Sequence, residues 1–512
     1  MGLSVLVVTF LIIFALLFVL SLLVRGVGSL FSRWQPIEKF WQSRSSFFHR
    51  LLPNLIIGLT FLYLIIVFPH IIPRLANVED LTMDFMMEVY SSIPPSTKKK
   101  MPPFVLLDID DTTYKNWGKP PFTPRDKLKN LINTAVEAKA RLIIVDIDVS
   151  KAAPSINGSL HPHDQALKTY LADYVTQCQA KENQSDCVRI IFVRAFGTGS
   201  GSVRVPRTSF LENGVTTQLA PYVQWGSAQF PLSAGHVIRH WRLWESTCIN
   251  EQPGVTPSIE LLVMGMIREC TTKDIQKALQ PFQPKNCNDN KISLPASLTF
   301  CGLTISTNSQ SSVQQRVMYH IPWNRPTLPH IVSDKNGDPI LTIFPARFYA
   351  ESQPQADVGT FTDSIVVIGG SYRGDHGSDV HLVPIGEMPG AMIIINAVYS
   401  LVQNKIVKPV SASIWIWLII AIFFIVIITK ISYFSLWYKV LGVSVIITIL
   451  ILVFIASIFL FEDGTWLNIA IPLLILQFYL EIYPKVREYE KKVSQKGNKM
   501  VSWVTSKLRR SI

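Results

Sequence analysis

The chain has 512 residues, 48% of them hydrophobic and only 16% charged, and a formal net charge of +12. With a mean hydropathy of +0.28 it is too apolar for an ordinary soluble protein, so a membrane protein is the first expectation. The basic excess does not indicate nucleic acid, which needs a basic face on a folded domain; here Lys and Arg sit beside the apolar segments, where anionic lipid is the natural partner.

Five segments are long and apolar enough to be read as membrane helices. They are 3–24, 51–72, 412–429, 440–461 and 466–483. The first lacks a basic leader and an A-x-A cleavage site, and is read as retained. Arg25, Arg33, Lys39, Arg44 and Arg50 lie between the first two segments, Lys430 and Lys439 between the third and fourth, and a run of Lys and Arg in 484–512. By the positive-inside rule these loops face the cytoplasm, which places residues 73–408 outside it and the C-terminus inside. The expectation is a multi-pass protein of a bacterial inner membrane, with a periplasmic domain at 73–408 and a basic cytoplasmic tail at 484–512.

All six cysteines, Cys178, Cys187, Cys248, Cys270, Cys287 and Cys301, fall inside that exported segment. An even number in an exported segment suggests disulfides in an oxidising space. Six cysteines allow 15 connectivities; proximity in sequence favours Cys178–Cys187, Cys248–Cys270 and Cys287–Cys301. No C-x-x-C pair or paired-histidine spacing argues for zinc.

Within the segment, FVLLDI (Phe104–Ile109) reads as a buried strand, KPPFTPR as a turn, Asp126–Lys139 as a helix and RLIIVDIDV (Arg141–Val149) as a second strand. Together they predict a right-handed βαβ unit with a parallel pair. Residues 178–315 are polar and cysteine-bearing, and GTGSGS (Gly197–Ser202) reads as a flexible loop. DSIVVIGG (Asp363–Gly370) is a third strand, and PGAMIIINAVYSLVQN (Pro389–Asn404) a helix that opens on Pro and Gly. The predicted fold is α/β, a mixed or mostly parallel sheet with flanking helices, joined to an all-α part of five membrane helices.

The acidic end of the first strand raises an enzymatic alternative. Asp108, Asp110 and Thr112 fit the D-x-D-x-T of haloacid-dehalogenase-type phosphatases, and Gly374, Asp375 and Asp379 resemble their later magnesium motif. In such a site Asp108 attacks phosphorus and Asp110 serves as acid and base beside a metal ion. Against this, Ser371, Tyr372 and Arg373 separate the later motif from its strand, and no suitably placed Lys lies between the motifs. Carboxylates at strand ends also cap the following turn, and that reading is preferred. His161, His163 and Asp164, and His376, Asp379 and His381, match no strong metal template. No metal and no cofactor are expected.

In order, FVLLDIDDTTY (with Asp108, Asp110 and Asp111), the Gly118–Arg125 turn, ARLIIVDIDVS (with Asp146), HPHDQAL (His161–Leu167), Gly235 with Arg239, PSIELL (Pro257–Leu262) and the closing IVVIGGSYRGDHGSDVHLVPIGEMPGAMIIINAVYSLVQNKIV (with Asp379, Pro384, Pro389 and Gly390) are similar to a known pattern. Residues of about 80–408 resemble a CHASE2 domain. The chain departs from that pattern at Val383, at Ile394 and in its cysteine-bearing middle, so no ligand chemistry is carried over. The resemblance implies an extracytoplasmic sensor module like those of bacterial adenylate cyclases, histidine kinases and Ser/Thr kinases, followed by three membrane helices. Residues 484–512 are fewer than the roughly 40 that a domain needs on its own. The expectation is therefore a sensory or regulatory protein, not an enzyme, whose partners are the lipid bilayer, a separate membrane or cytoplasmic protein and an unidentified small molecule, with no nucleic acid.

Overall fold

The structure, a computed structural model, describes residues 73–95, 101–154, 159–181, 187–197, 203–212, 221–288, 295–307, 315–323, 329–351, 357–374, 377–403, 406–409, 451, 455–462 and 464–466. Asp84–Lys408 form one compact unit. In chain order it contains the end of α1 (Pro73–Ser91), then β1 (Phe104–Ile109), α2 (Asp111–Asn116), α3 (Arg125–Glu137), β2 (Leu142–Val145), α4 (Pro162–Ala180), β3 (Arg189–Val193) and β4 (Val223–Gly226). A hairpin β5 (Trp244–Ile249) and β6 (Gln252–Pro257) leads into α5 (Ile259–Ile267) and α6 (Thr272–Leu279), and a second hairpin, β7 (Ser297–Phe300) and β8 (Leu303–Ser306), follows. The chain then adds β9 (His330–Ser333), β10 (Pro339–Pro345), β11 (Ile365–Gly370), the hairpin β12 (Val380–Val383) and β13 (Gly386–Pro389), and α7 (Gly390–Val402).

One seven-stranded sheet carries the order β9-β10-β1-β11-β2-β3-β4. Every pairing is parallel except that of the edge strand β9 with β10, so the expected mostly parallel α/β sheet is present. All residues of β1, β2 and β11 are buried, as their unbroken apolar runs require of strands covered on both faces. Val105, Leu107, Ile143, Val145, Val366 and Ile368 share one core with Leu128 and Leu131 of α3 and Leu167 and Leu171 of α4. The alternate residues face the other way, where α7 packs on β11 and on α5.

β1 and β2 run parallel as predicted, but they are not neighbours. β11 lies between them, with Val367 opposite Leu106 on one side and Ile144 on the other. A strand that is apolar on both faces carries no mark of which strand sits at its edge, so order along the chain was a poor guide to order across the sheet.

Helix α7 is buried at every position after Gly390, and its two polar residues are fully used. Asn396 Oδ1 accepts from the backbone N–H groups of His320 and Ile321, each at 3.0 Å, while Nδ2 donates to the carbonyls of Ile321 and Met392. Ser400 Oγ accepts from Met318 N–H at 3.2 Å. A strand-like segment at 316–321 is thereby fastened to the helix by side chains in place of a ladder.

All six cysteines are paired. Cys178–Cys187 forms as proximity suggested, but the other two bonds are Cys248–Cys287 and Cys270–Cys301, not the favoured Cys248–Cys270 and Cys287–Cys301. The turn of the β7–β8 hairpin folds back onto the end of α5: Arg268 Nη1 donates to the Cys301 carbonyl at 2.8 Å. That contact brings Cys301 to Cys270 and leaves Cys248 for Cys287.

The predicted all-α part of five membrane helices is not shown among the described residues. Among the described residues no helix is long and apolar enough to cross a membrane. Segments 3–24, 51–72 and 412–429 lie outside the described residues. In 440–461 the described residues, 451 and 455–461, are helical, and the others lie outside the described residues. Trp466, expected to open the fifth span, belongs instead to the short strand Thr465–Trp466.

Opening the Cys270–Cys301 bond with paired Cys→Ser changes releases a loop with a sequence separation of 31, and should lower stability by about 2–4 kcal/mol. Urea unfolding of the oxidised full-length protein and its variant measures the difference.

Candidate functional site

The acidic residues singled out in the sequence gather where the parallel strands end. Asp108 on β1 stands opposite Gly369 on β11, and Asp146, the first residue after β2, donates its backbone N–H to the Ile368 carbonyl at 2.8 Å. Adjacent strand ends therefore set Asp108, Gly369 and Asp146 in a row. Gly369 is required there: a Cβ at this position would stand 2.5 Å from Cβ of Ala391, in the first turn of α7. Its absence lets the start of α7 close directly over the row.

Asp379 approaches the same place from the loop before β12. The Gly390 N–H donates to the Asp379 carbonyl at 2.8 Å, and the Asp379 carboxylate fills the space that any side chain at Gly390 would need. Pro389 supplies the extended residue that opens the helix. His381 Nε2 lies 2.9 Å from Asp379 Oδ1, and this contact raises the His381 pKa. Pro384 forms part of the turn joining β12 and β13.

The electrostatics follow from burial. Asp108 is 2% exposed; Oδ2 accepts from Ser371 Oγ at 2.7 Å, while Oδ1 has no hydrogen-bond partner. Burial raises its pKa from 3.8 to about 7, against the Ser371 hydrogen bond and with smaller help from Asp110 and Asp111. Asp146 Oδ2 is likewise buried without a partner, and burial, followed by repulsion from Asp379, lifts its pKa well above the carboxylate range. Two acids at the foot of one helix are thus held toward their neutral forms at mildly acidic pH.

Asp110 and Asp111 do other work. Asp110 caps α2, accepting from the Thr113 N–H at 2.8 Å and from its hydroxyl, and pairs with Arg347 at 3.2 Å. Asp111 accepts from the Arg373 N–H at 2.8 Å, and Tyr114 stacks on Tyr372 with ring centres 4.2 Å apart. The two acids of D-x-D-x-T therefore point to different tasks, and the turn-capping reading describes Asp110. Asp375 lies outside the described residues. Among the described residues no group of three His, Cys, Asp or Glu is placed to hold a metal ion.

The remaining motif residues form two internal clamps. Arg125, 3% exposed, pairs with Asp164 at 3.6 Å and donates to the carbonyls of Asp148 and Lys151, fixing the loop after β2. Arg239 donates to Asp84 through Nε and Nη2, at 2.9 and 2.7 Å, and to the Ala234 carbonyl at 2.9 Å. The turn that presents this carbonyl runs through Gly235 at φ 79°, a conformation suited to glycine. Arg316 reaches the same Asp84 at 3.1 Å. Sequence reasoning missed Asp84 and Arg316; the available signal was an acid, Asp84, set beside the apolar stripe Met83, Met86, Met87 and Tyr90.

The family model of the CHASE2 domain matches residues 59–431. The chain belongs to the CHASE2 domain family. CHASE2 is an extracellular sensor domain family, so the row of strand-end carboxylates and the two arginine clamps lie within a sensor module. No curated protein sequence and no solved structure matches the chain. The positions where this CHASE2 domain departs from the expected pattern, Val383 and Ile394, are buried apolar residues at 2% and 1% exposure, and they serve the core.

Two measurements test this geometry. The folded state holds the Asp108 proton more tightly than the unfolded chain, so its contribution to stability is complete below about pH 4 and is lost as pH rises toward 7. Asp108→Asn should become more stable relative to the parent as pH rises from 4 to 8, by up to about 4 kcal/mol, in urea titrations at each pH. Asp84→Asn leaves the carboxylate partner of two buried guanidinium groups without its charge and should cost about 3–5 kcal/mol, read from the thermal and urea midpoints.

Proposed function

We propose that residues 84–408 act as an extracytoplasmic, periplasmic sensor that passes a ligand or partner signal to a separate protein and has no enzymatic activity of its own. The CHASE2 match supports the sensory part. The three disulfides support an oxidising compartment. The observation that carries the coupling is the seating of α7, whose first turn closes over Gly369 and rests against the Asp379 carboxylate.

A change in charge or contact at Asp146 and Asp379 acts on that first turn before it acts on anything more distant. The helix is one buried rod, fastened along its length to residues 318–321, so it moves as a body or not at all. Two discrete seatings of a packed helix are the kind of element that a signal can bias.

Amide exchange measured by mass spectrometry on the full-length protein tests the reading. Protection of Gly390–Val402, taken as exchange relative to the intrinsic rate at each pH, should differ between pH 5 and pH 8 in the parent and lose that difference in Asp146→Asn. A pH-independent pattern in the parent would remove the coupling. Magnesium-dependent phosphatase activity that vanishes in Asp108→Asn would replace the sensory reading with the enzymatic one.

A further inference from the structure

We propose that a second site, at the opposite end of the sheet from the carboxylates, binds a small amphipathic organic anion: an apolar or aromatic body bearing one carboxylate or sulfonate. The assignment rests on the sensory reading above and names the class of ligand. A cavity of about 1100 Å³ opens where β2, β3 and β11 begin, bounded by the turn between α5 and α6. Its size is that of clefts able to enclose a drug-sized molecule, roughly 300–1,000 Å³.

Its walls are preformed. Cys187 and Cys270 both line it, and each belongs to a disulfide, with Cys178 and with Cys301. Two sides of the opening are therefore pinned covalently, and a ligand entering it orders little of the chain, which favours affinity. The Tyr174 ring lines a third side, its hydroxyl donating to the Val188 carbonyl at 2.6 Å.

The rim carries side chains where the backbone alone would choose glycine. Lys139, Glu269 and Asp363, all lining the cavity, have φ of 58°, 58° and 55°. Lys139 and Glu269 each follow the C-cap of a helix, α3 and α5, the position that glycine fills at least cost. Charged residues kept there at a cost in stability point to a use for their side chains.

The charges and the lining define the ligand. Arg141 pairs with Asp363 at 3.2 Å, and Glu137 accepts from the Asn133 amide at 2.8 Å. Lys139, Lys181 and Arg189 have no carboxylate partner among the described residues, against two acids of the lining outside that ion pair, Glu137 and Glu269, so the lining carries one more cation than it has acids. Between them lie Ala140, Leu142, Val188, Met266 and Ile365. An apolar floor under a cationic rim suits an apolar body with one anionic group, and disfavours a cation or a sugar.

Isothermal titration of the full-length oxidised protein with 2-naphthoate tests the proposal, with 2-naphthalenemethanol and 2-naphthylmethylammonium as the neutral and cationic counterparts. Saturable binding of naphthoate is expected, at least tenfold tighter than either counterpart, and at least tenfold weaker in Lys181→Glu/Arg189→Glu with the melting temperature unchanged. If that variant melts early, Lys139→Gln in the parent background should weaken binding at least threefold. Absence of naphthoate binding, equal binding of the three probes, or parental affinity in a folded variant would overturn the assignment. Naphthoate binding that leaves amide exchange of Gly390–Val402 unmoved would uphold the cavity and count against the sensory coupling, so the two readings fail separately.

Discussion

The close approach of α7 to the strand ends is the contact on which the architecture of the carboxylate end depends. It requires that positions 369 and 390 carry no side chain, because the first would meet Ala391 and the second the Asp379 carboxylate. Once the helix is seated, Asp108 and Asp146 lose solvent and their proton affinities rise. The seating therefore sets the electrostatics. Opposing it is the cost of burying polar atoms without partners, Asp108 Oδ1 and Asp146 Oδ2, which is the kind of cost that a fold tolerates where it gains a switchable element.

The two ends of the sheet are chemically unlike. Where the strands finish there are buried acids and a helix start; where they begin there is a cavity with an apolar floor and a cationic rim. β11 spans both, from Ile365 at the cavity to Gly369 beneath α7. A strand hydrogen-bonded on both sides is stiff, so a shift of β11 along its axis would be felt at both ends, whereas local rearrangement of either end alone would not.

Much of this arrangement was readable from residues alone. β1, β2, β11 and α7 announce themselves because apolar runs bounded by Gly, Pro and Asp have few alternatives, and the ordered motifs pointed to the CHASE2 family before any coordinate was known. Adjacency was not readable: β11 separates β1 from β2, and uniform burial erases the pattern that would identify neighbours. The membrane helices were inferred from hydropathy and do not appear among the described residues. Asp84 was overlooked because its partners, Arg239 and Arg316, are brought to it only by tertiary structure. Lys139 and Glu269 were equally silent, since a left-handed φ at a charged residue leaves no trace in composition.

The crossing of the Cys248–Cys287 and Cys270–Cys301 bonds has a topological consequence. Paired as neighbours, the four cysteines would close two separate loops, and one cut between 270 and 287 would part the domain into two pieces. Crossed, they overlap, and a single cut anywhere from 249 to 300 leaves at least one covalent bond across the break. The hairpins and helices of this region thus stay in one piece after a single encounter with a protease, a hazard of any space outside the cytoplasm.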